Sequence, residues 1–119
     1  MVLLTQADFA NLSLLPQTPE VRRLLERATV VASDAIPRDV VTMNTQVVLH
    51  DEASGERRTV RIVFPNDADP AAGLVSVLDP LGMQLLGASP GHVTRRGLRV
   101  ERVVYQPEHS LRAHLITRR

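Results

Sequence analysis

Two spacings of apolar residues divide the chain near Ile36. Before that point Val21, Leu24, Leu25 and Ala28 recur at intervals of three and four, with Arg22, Arg23, Glu26 and Arg27 between them, the stripe of an amphipathic helix. Thr18, Pro19 and Glu20 supply its start: a hydroxyl cap, a proline at the first helical position and a carboxylate in the first turn. The pattern predicts a helix over Pro19 to Ala32. Thr5 to Ser13 reads as a weaker helix with Phe9 and Leu12 turned inward, and Leu-Pro-Gln-Thr-Pro-Glu, Leu15 to Glu20, joins the two. Residues 1–36 are therefore expected to form a short αα-hairpin.

After Ile36-Pro37-Arg38-Asp39 the pattern becomes β-branched. Val41 to His50 and Thr59 to Phe64 are predicted strands, joined by a hairpin over Asp51 to Glu56 with Gly55 in its turn. Pro65 to Gly73 is rich in turn residues and reads as a loop. Leu74 to Leu78 is a short strand, Pro80 to Leu86 a helix of about two turns opened by Asp79-Pro80, and Leu98 to Tyr105 a last strand. Two strands, a third, a helix and a fourth make an α+β domain over 37–108, an antiparallel sheet crossed by one helix. Residues 109–119, with Arg112, Arg118 and Arg119, read as a frayed tail.

Composition narrows what such a domain can do. Hydrophobic residues are 44% of the 119 but aromatics only 3%, so the core must be aliphatic and stacking platforms for single-stranded nucleic acid are scarce. The absence of cysteine removes disulfides, zinc–thiolate sites and thiol catalysis. All fourteen basic residues are arginine, which excludes lysine-based covalent chemistry, and a net charge of +1 is no polyanion signature. No apolar run reaches the ~20 residues of a membrane span, and Met1 to Asp8 carries no basic leader pattern. A soluble, cytoplasmic protein is expected.

Candidate chemistry is sparse. His50, His92, His109 and His114 form no ligand-spaced pair, no Gly-x-Ser-x-Gly elbow exposes a serine, and Asn66 to Pro70 lacks the glycine and distal glutamate of a calcium loop. No catalytic residue, metal or cofactor is assigned. Arg95, Arg96, Arg99 and Arg102 form a basic cluster, a candidate polar contact. On a regular strand the odd separation of Arg99 and Arg102 would send them to opposite faces, so a guarded sheet edge competes with a phosphate-tracking stripe.

Several spaced motifs are more specific. Pro37-Arg-Asp-Val-Val-Thr-Met-Asn-Thr-Gln-Val47, Ser54-Gly-Glu56, Val63-Phe-Pro-Asn-Asp-Ala-Asp-Pro70, Ser76-Val-Leu-Asp-Pro-Leu-Gly-Met-Gln-Leu-Leu-Gly87 and Tyr105-Gln-Pro-Glu108 occur in the order in which the Rnk family carries them. The chain resembles that family, named for regulation of nucleoside diphosphate kinase and related to the transcript-cleavage factors GreA and GreB. The resemblance implies an FKBP-like antiparallel sheet with one helix, preceded by a coiled coil, and RNA polymerase as partner near its secondary channel. It implies docking through Leu78, Asp79, Pro80, Leu81 and Gly82, with Asp79 where relatives carry a small residue. Cleavage factors end their coiled coil in paired acids; here the tip offers Glu20 alone, so cleavage stimulation is not expected. Relatives also have a longer strand and a flap where this chain has His92 to Gly97, so a tight turn at Arg95 to Gly97 and a sheet open on one side are expected.

The resemblance implies a non-enzymatic regulator that competes with Gre-type factors. A prolyl isomerase, suggested by the fold, would need an aromatic-lined pocket. A stand-alone module binding protein or nucleic acid through the arginines is the remaining alternative, and no specific DNA complex is expected. The sequence sets neither the oligomeric state nor whether the kinase is a direct partner.

Overall fold

In the computed structural model the chain is described over residues 2–110. Strand β1, Val2–Thr5, runs into helix α1, Gln6–Leu12; helix α2, Pro19–Arg27, returns and continues as strand β2, Ala28–Val31. Thr5 and Thr18 cap the two helices, their hydroxyls accepting the N–H of Asp8 at 3.1 Å and of Val21 at 3.2 Å. The expected second helix stops at Arg27 rather than Ala32. Thr29, Val30 and Val31 are β-branched and pair in parallel with Leu3, Leu4 and Thr5, an alternative that a helical pattern sharing Ala28 conceals. The hairpin is thus a βααβ unit whose helices, seven and nine residues long, reach only about 11 Å and about 14 Å at ~1.5 Å per residue.

The main sheet has the order β5-β4-β3-β6. Strands β3 (Gln46–Asp51), β4 (Arg57–Val63) and β6 (Leu98–Tyr105) pair antiparallel, but β5 (Leu74–Ser76) is parallel to β4, with Arg61 opposite Leu74. The sheet is therefore not wholly antiparallel: residues 64–73, carrying two 3-10 turns, bring the chain back to run β5 alongside β4 in the same direction. Val41 to Thr45 also departs from the expected strand. The Thr45 hydroxyl accepts the Thr42 N–H at 2.9 Å and Asn44 takes φ 65°, so the chain turns there, although Asn44 and Thr45 still exchange backbone bonds with Ile62 at 2.6 and 3.2 Å.

Helix α3, Pro80–Leu85, lies across the inner face of the sheet. Leu4, Leu12 and Leu24 from the βααβ unit share one buried cluster with Val47, Leu49, Val60, Ile62, Val77, Leu85 and Val100. That core is aliphatic, as the composition requires; Phe9 and Phe64 only pack on its margin.

A buried polar tie fastens the βααβ unit to the rest. The Asp8 carboxylate accepts the Met43 N–H at 3.0 Å, and next to it, within the main domain, the part-buried Thr42 hydroxyl donates to Glu108 at 2.7 Å. Burial pushes the Asp8 carboxyl above the usual range; the Met43 N–H opposes this and the nearby Glu108 charge adds to it. Gln106, also buried, donates to the carbonyls of Pro37 and Val40 at 2.8 and 2.7 Å. The part of the expected tail beyond Ser110 lies outside the described residues. No described helix is long and apolar enough to cross a membrane.

Candidate docking surface

The loop entering α3 is rigid yet exposed. Asp79 donates its N–H to the Ser76 carbonyl at 3.0 Å, and its own carbonyl accepts the Met83 N–H at 2.9 Å, closing the first helical turn. Pro80 occupies the first helical position, where its missing N–H costs nothing and its fixed φ suits the helix. The Asp79 side chain makes no capping bond and, like Pro80, is exposed; Leu78 and Leu81 are half-buried. Gly82 differs from its neighbours. It is buried, and a Cβ built on it would lie 2.2 Å from the Ser76 carbonyl oxygen, so it positions the helix and offers no contact surface.

Clefts flank this loop on both sides. One, of about 460 Å³, is lined by Asp79, Pro80 and Leu81, with Arg58 from β4, Arg96, and Asp51 at the end of β3. The Asp51 carboxylate is held below its ordinary range by the N–H groups of Ala53, at 2.9 Å, and Ser54, at 3.3 Å, and so stays committed to the hairpin turn. The other, of about 760 Å³, runs between α2 and α3 and includes Leu78, Pro80, Met83, His92 and Arg95 with Arg23 and Arg27.

The structure divides the predicted arginine cluster. Arg95 and Arg96 sit in the turn beside α3, tethered where the Arg95 N–H donates to the Gln84 side chain at 2.8 Å. Arg99 and Arg102 lie on the outer face of the sheet, and on the same side, contrary to the alternation of a regular strand. A bulge between the Leu49–Val100 and Val48–Arg102 pairs leaves Glu101 as an extra residue and resets the parity, so Arg99 faces with His50 and Arg102 with Val48. Arg99 is engaged with Glu52 at 2.5 Å, and Arg57 reaches Glu101 at 2.8 Å. The Arg57 contact helps hold the Glu101 carboxyl below its usual range.

The expected tight turn is present, with Gly97 at φ 82° and its N–H on the Thr94 carbonyl at 3.0 Å. The sheet edge is less open than expected. Gly91 to Thr94 follows β6, with the Val100 N–H on the His92 carbonyl at 2.8 Å and Val93 bridged to Arg99, so only Glu101 to Tyr105 lacks an outer neighbour among the described residues.

The histidines are dispersed: His50 beside Arg99, His92 in the larger cleft, His109 against Gln106, with His114 outside the described residues. No group of three or more metal-binding side chains is gathered among the described residues. Asn66 to Pro70 is an exposed pair of 3-10 turns. At the tip of the βααβ unit Gln17 donates to the Leu15 carbonyl at 2.7 Å, and Glu20 pairs with Arg23 at 3.6 Å, both side chains exposed at the edge of the larger cleft. Sequence reasoning missed Arg58, whose inward parity with Val60 and Ile62 was legible, and the place of Arg23 and Arg27 beside α3, which only the tertiary fold sets.

A bulged four-stranded sheet carrying one short helix behind an exposed Asp-Pro loop, with a helical unit packed on its core, is the architecture of a transcription elongation factor C-terminal domain. Residues 36–106 match the family described as transcription elongation factor, GreA/GreB, C-terminal, and the chain belongs to that family. It is 33% identical over 116 residues to a protein named regulator of nucleoside diphosphate kinase from Escherichia coli (strain K12), covering 90% of this chain and 82% of that one. Transcription elongation factor GreA of Desulfovibrio desulfuricans is 36% identical over 77 residues, 65% of this chain but 48% of that factor, so the chain spans about half the length of that relative. A solved structure of a transcription elongation factor GreA/GreB from Nitrosomonas europaea superposes with a TM-score of 0.72 at 31% identity, covering 87% of this chain and 98% of that one. These relatives are named as regulators or elongation factors.

Proposed function

We propose that this chain is a non-enzymatic cytoplasmic regulator of transcription that docks on RNA polymerase near its secondary channel through Leu78, Asp79, Pro80 and Leu81, with Gly82 seating the loop, and competes there with Gre-type factors. The observation that carries the reading is the pairing of a rigid, exposed docking loop with a reach too short for chemistry. Pro80 and the bonds to Ser76 and Met83 hold the loop in its bound shape before a partner arrives, which lowers the ordering cost of association. The helices of the βααβ unit extend about 11 Å and about 14 Å at ~1.5 Å per residue, and the tip carries one solvated carboxylate, already facing Arg23. A single exposed acid cannot share a catalytic metal ion as a pair of carboxylates would. Occupancy without cleavage follows.

The test is a pull-down with core RNA polymerase and a transcript-cleavage assay on a backtracked complex. The chain should be captured, and Asp79→Ala, Pro80→Ala and Leu81→Ala together should weaken capture while circular dichroism stays unchanged. Titrated against a fixed amount of Gre factor, the chain should slow release of the short 3′ RNA fragment, and excess Gre factor should restore it. Unchanged affinity in the folded triple variant refutes the docking assignment; fragment release by the chain alone refutes the account of the tip.

A further inference from the structure

Two bulges give β6 a period that a regular strand lacks. Arg99 stands opposite His50, Arg102 opposite Val48 and Tyr105 opposite Gln46, with Glu101 and Val104 left as extra residues. Every third residue from Arg99 to Tyr105 therefore falls on the outer face of the sheet, because the β3 partners alternate with the core residues Val47 and Leu49. The three stand in line about 7 Å apart, two residues of strand at ~3.4 Å each. Beyond β3, β4 adds a second column with Arg57 opposite His50, Thr59 opposite Val48 and Arg61 opposite Gln46. Four arginines thus share one solvent-facing surface with two carboxylates, Glu52 on Arg99 and Glu101 on Arg57. A whole-chain charge of +1 conceals this local excess. Neither Arg61 nor Arg102 lies in a salt bridge among the described residues, and the Arg61 guanidinium sits 5.1 Å from the centroid of the exposed Tyr105 ring.

We propose that this outer face is a weak binding track for single-stranded RNA, with successive phosphates on Arg102 and Arg99 and one base on the Tyr105 ring, backed by Arg61. The face lies on the side of the sheet away from α3 and needs no contact with polymerase. An acidic peptide added at the β6 edge would need a regular ladder, which the two bulges break. Guanidinium forks beside a single ring instead match phosphates and the flat face of a base. Gln46 and Thr59, on the same face, add polar groups for the 2′-hydroxyls that distinguish RNA from DNA. Two of the four arginines are already engaged by carboxylates, so the contact spans few phosphates and is weak.

The experiment measures fluorescence anisotropy of a labelled uridine dodecamer with the full chain across a salt series. The wild type should bind with a dissociation constant of about 10⁻⁵ M at about 50 mM salt and a log–log salt slope of about −1.4, two phosphates at ~0.7 each. R61Q/R102Q should bind about tenfold more weakly and lose most of that slope. Tyr105→Leu should weaken binding about fivefold at unchanged slope, since it removes a base contact and no charge. E52Q/E101Q releases Arg99 and Arg57, and should bind about tenfold more tightly with a slope approaching about −2.8, a gain that misfolding does not produce. R95Q/R96Q loses the same charge as R61Q/R102Q from the α3 side of the sheet and should bind as the wild type does. Absence of binding by the wild type at low salt, or equal weakening in R95Q/R96Q and R61Q/R102Q, would overturn the assignment of the face. A deoxyuridine dodecamer or a polyglutamate peptide of equal charge that binds as tightly as the RNA would overturn the choice of occupant.

Discussion

Replacing Gly82 by alanine should destabilise the protein, although the same change in an ordinary helix stabilises it. Helix propensity favours alanine by about 1 kcal/mol. Against this, the new methyl would stand 2.2 Å from the Ser76 carbonyl oxygen and 2.9 Å from the Val77 Cα, well inside the ~3.5 Å of ordinary contact. Both obstacles are backbone and cannot rotate away, so α3 must retreat from β5 by about 1 Å. Leu85 and Leu86, buried beneath it, would lose a quarter to a half of their dispersion on that side. Overpacking of this kind costs about 1–3 kcal/mol, and the loosened leucines add to it, leaving a net loss of about 2 kcal/mol. Urea denaturation should show a lower midpoint at unchanged slope, and the melting temperature should fall by roughly 8 °C at about 4 °C per kcal/mol for a chain of this size. The displaced loop should also weaken polymerase capture at temperatures where the variant is folded. A Gly82→Ala variant as stable as the parent would refute the close approach of α3 to the Ser76–Val77 backbone.

Asp8 supplies a pH-dependent counterpart. Its carboxyl is raised by burial, so the folded state holds the proton more tightly than the unfolded chain; the stability this gives is full below the unfolded value and is lost as pH rises through the folded one. Asp8→Asn keeps an acceptor for the Met43 N–H without the charge facing Glu108, and should be more stable than wild type at pH 7, the difference shrinking in denaturation curves taken at falling pH. Asp8→Ala removes the acceptor and should cost about 1–3 kcal/mol for the orphaned N–H; an alanine variant matching the asparagine one would show that this bond carries no weight. Fluorescence anisotropy should detect no specific complex with duplex or single-stranded DNA at physiological salt, since Arg95 and Arg96 face away from the surface that holds Arg99 and Arg102. A submicromolar, salt-sensitive complex abolished by neutralising the four would contradict this.

How far the sequence spoke depended on whether a local signal had a tertiary competitor. Strand β6 is found at Leu98–Tyr105 as read, and α2 begins at Pro19, because the Gly97 turn and the Thr18-Pro19 cap are satisfied within a few residues of chain. The Asp79-Pro80 start of α3 is equally local. Strand β2 was hidden because Ala28 completes a helical stripe and only pairing with Val2–Thr5, far away in sequence, resolves the ambiguity. The parity of Arg99 and Arg102 depends on a bulge that no residue between them announces; alternation gave the wrong face for a sound reason. At the candidate docking surface the loop residues were legible as a motif, whereas Arg58 on β4 and Arg23 and Arg27 on α2 come from two other segments that only the shared core brings around it.

The parallel pairing of β1 with β2 makes the reach of this molecule an adjustable length. With Val2 to Thr5 zipped to Ala28 to Val31, both helices leave a common base whose spacing does not depend on what lies between them. Adding seven residues to each helix, away from that base, would carry the turn at Pro16 and Gln17 outward by about 10 Å while preserving the face each presents. A short arm and a long one can thus be built on one chassis, differing only in the number of turns inserted between two clasped strands.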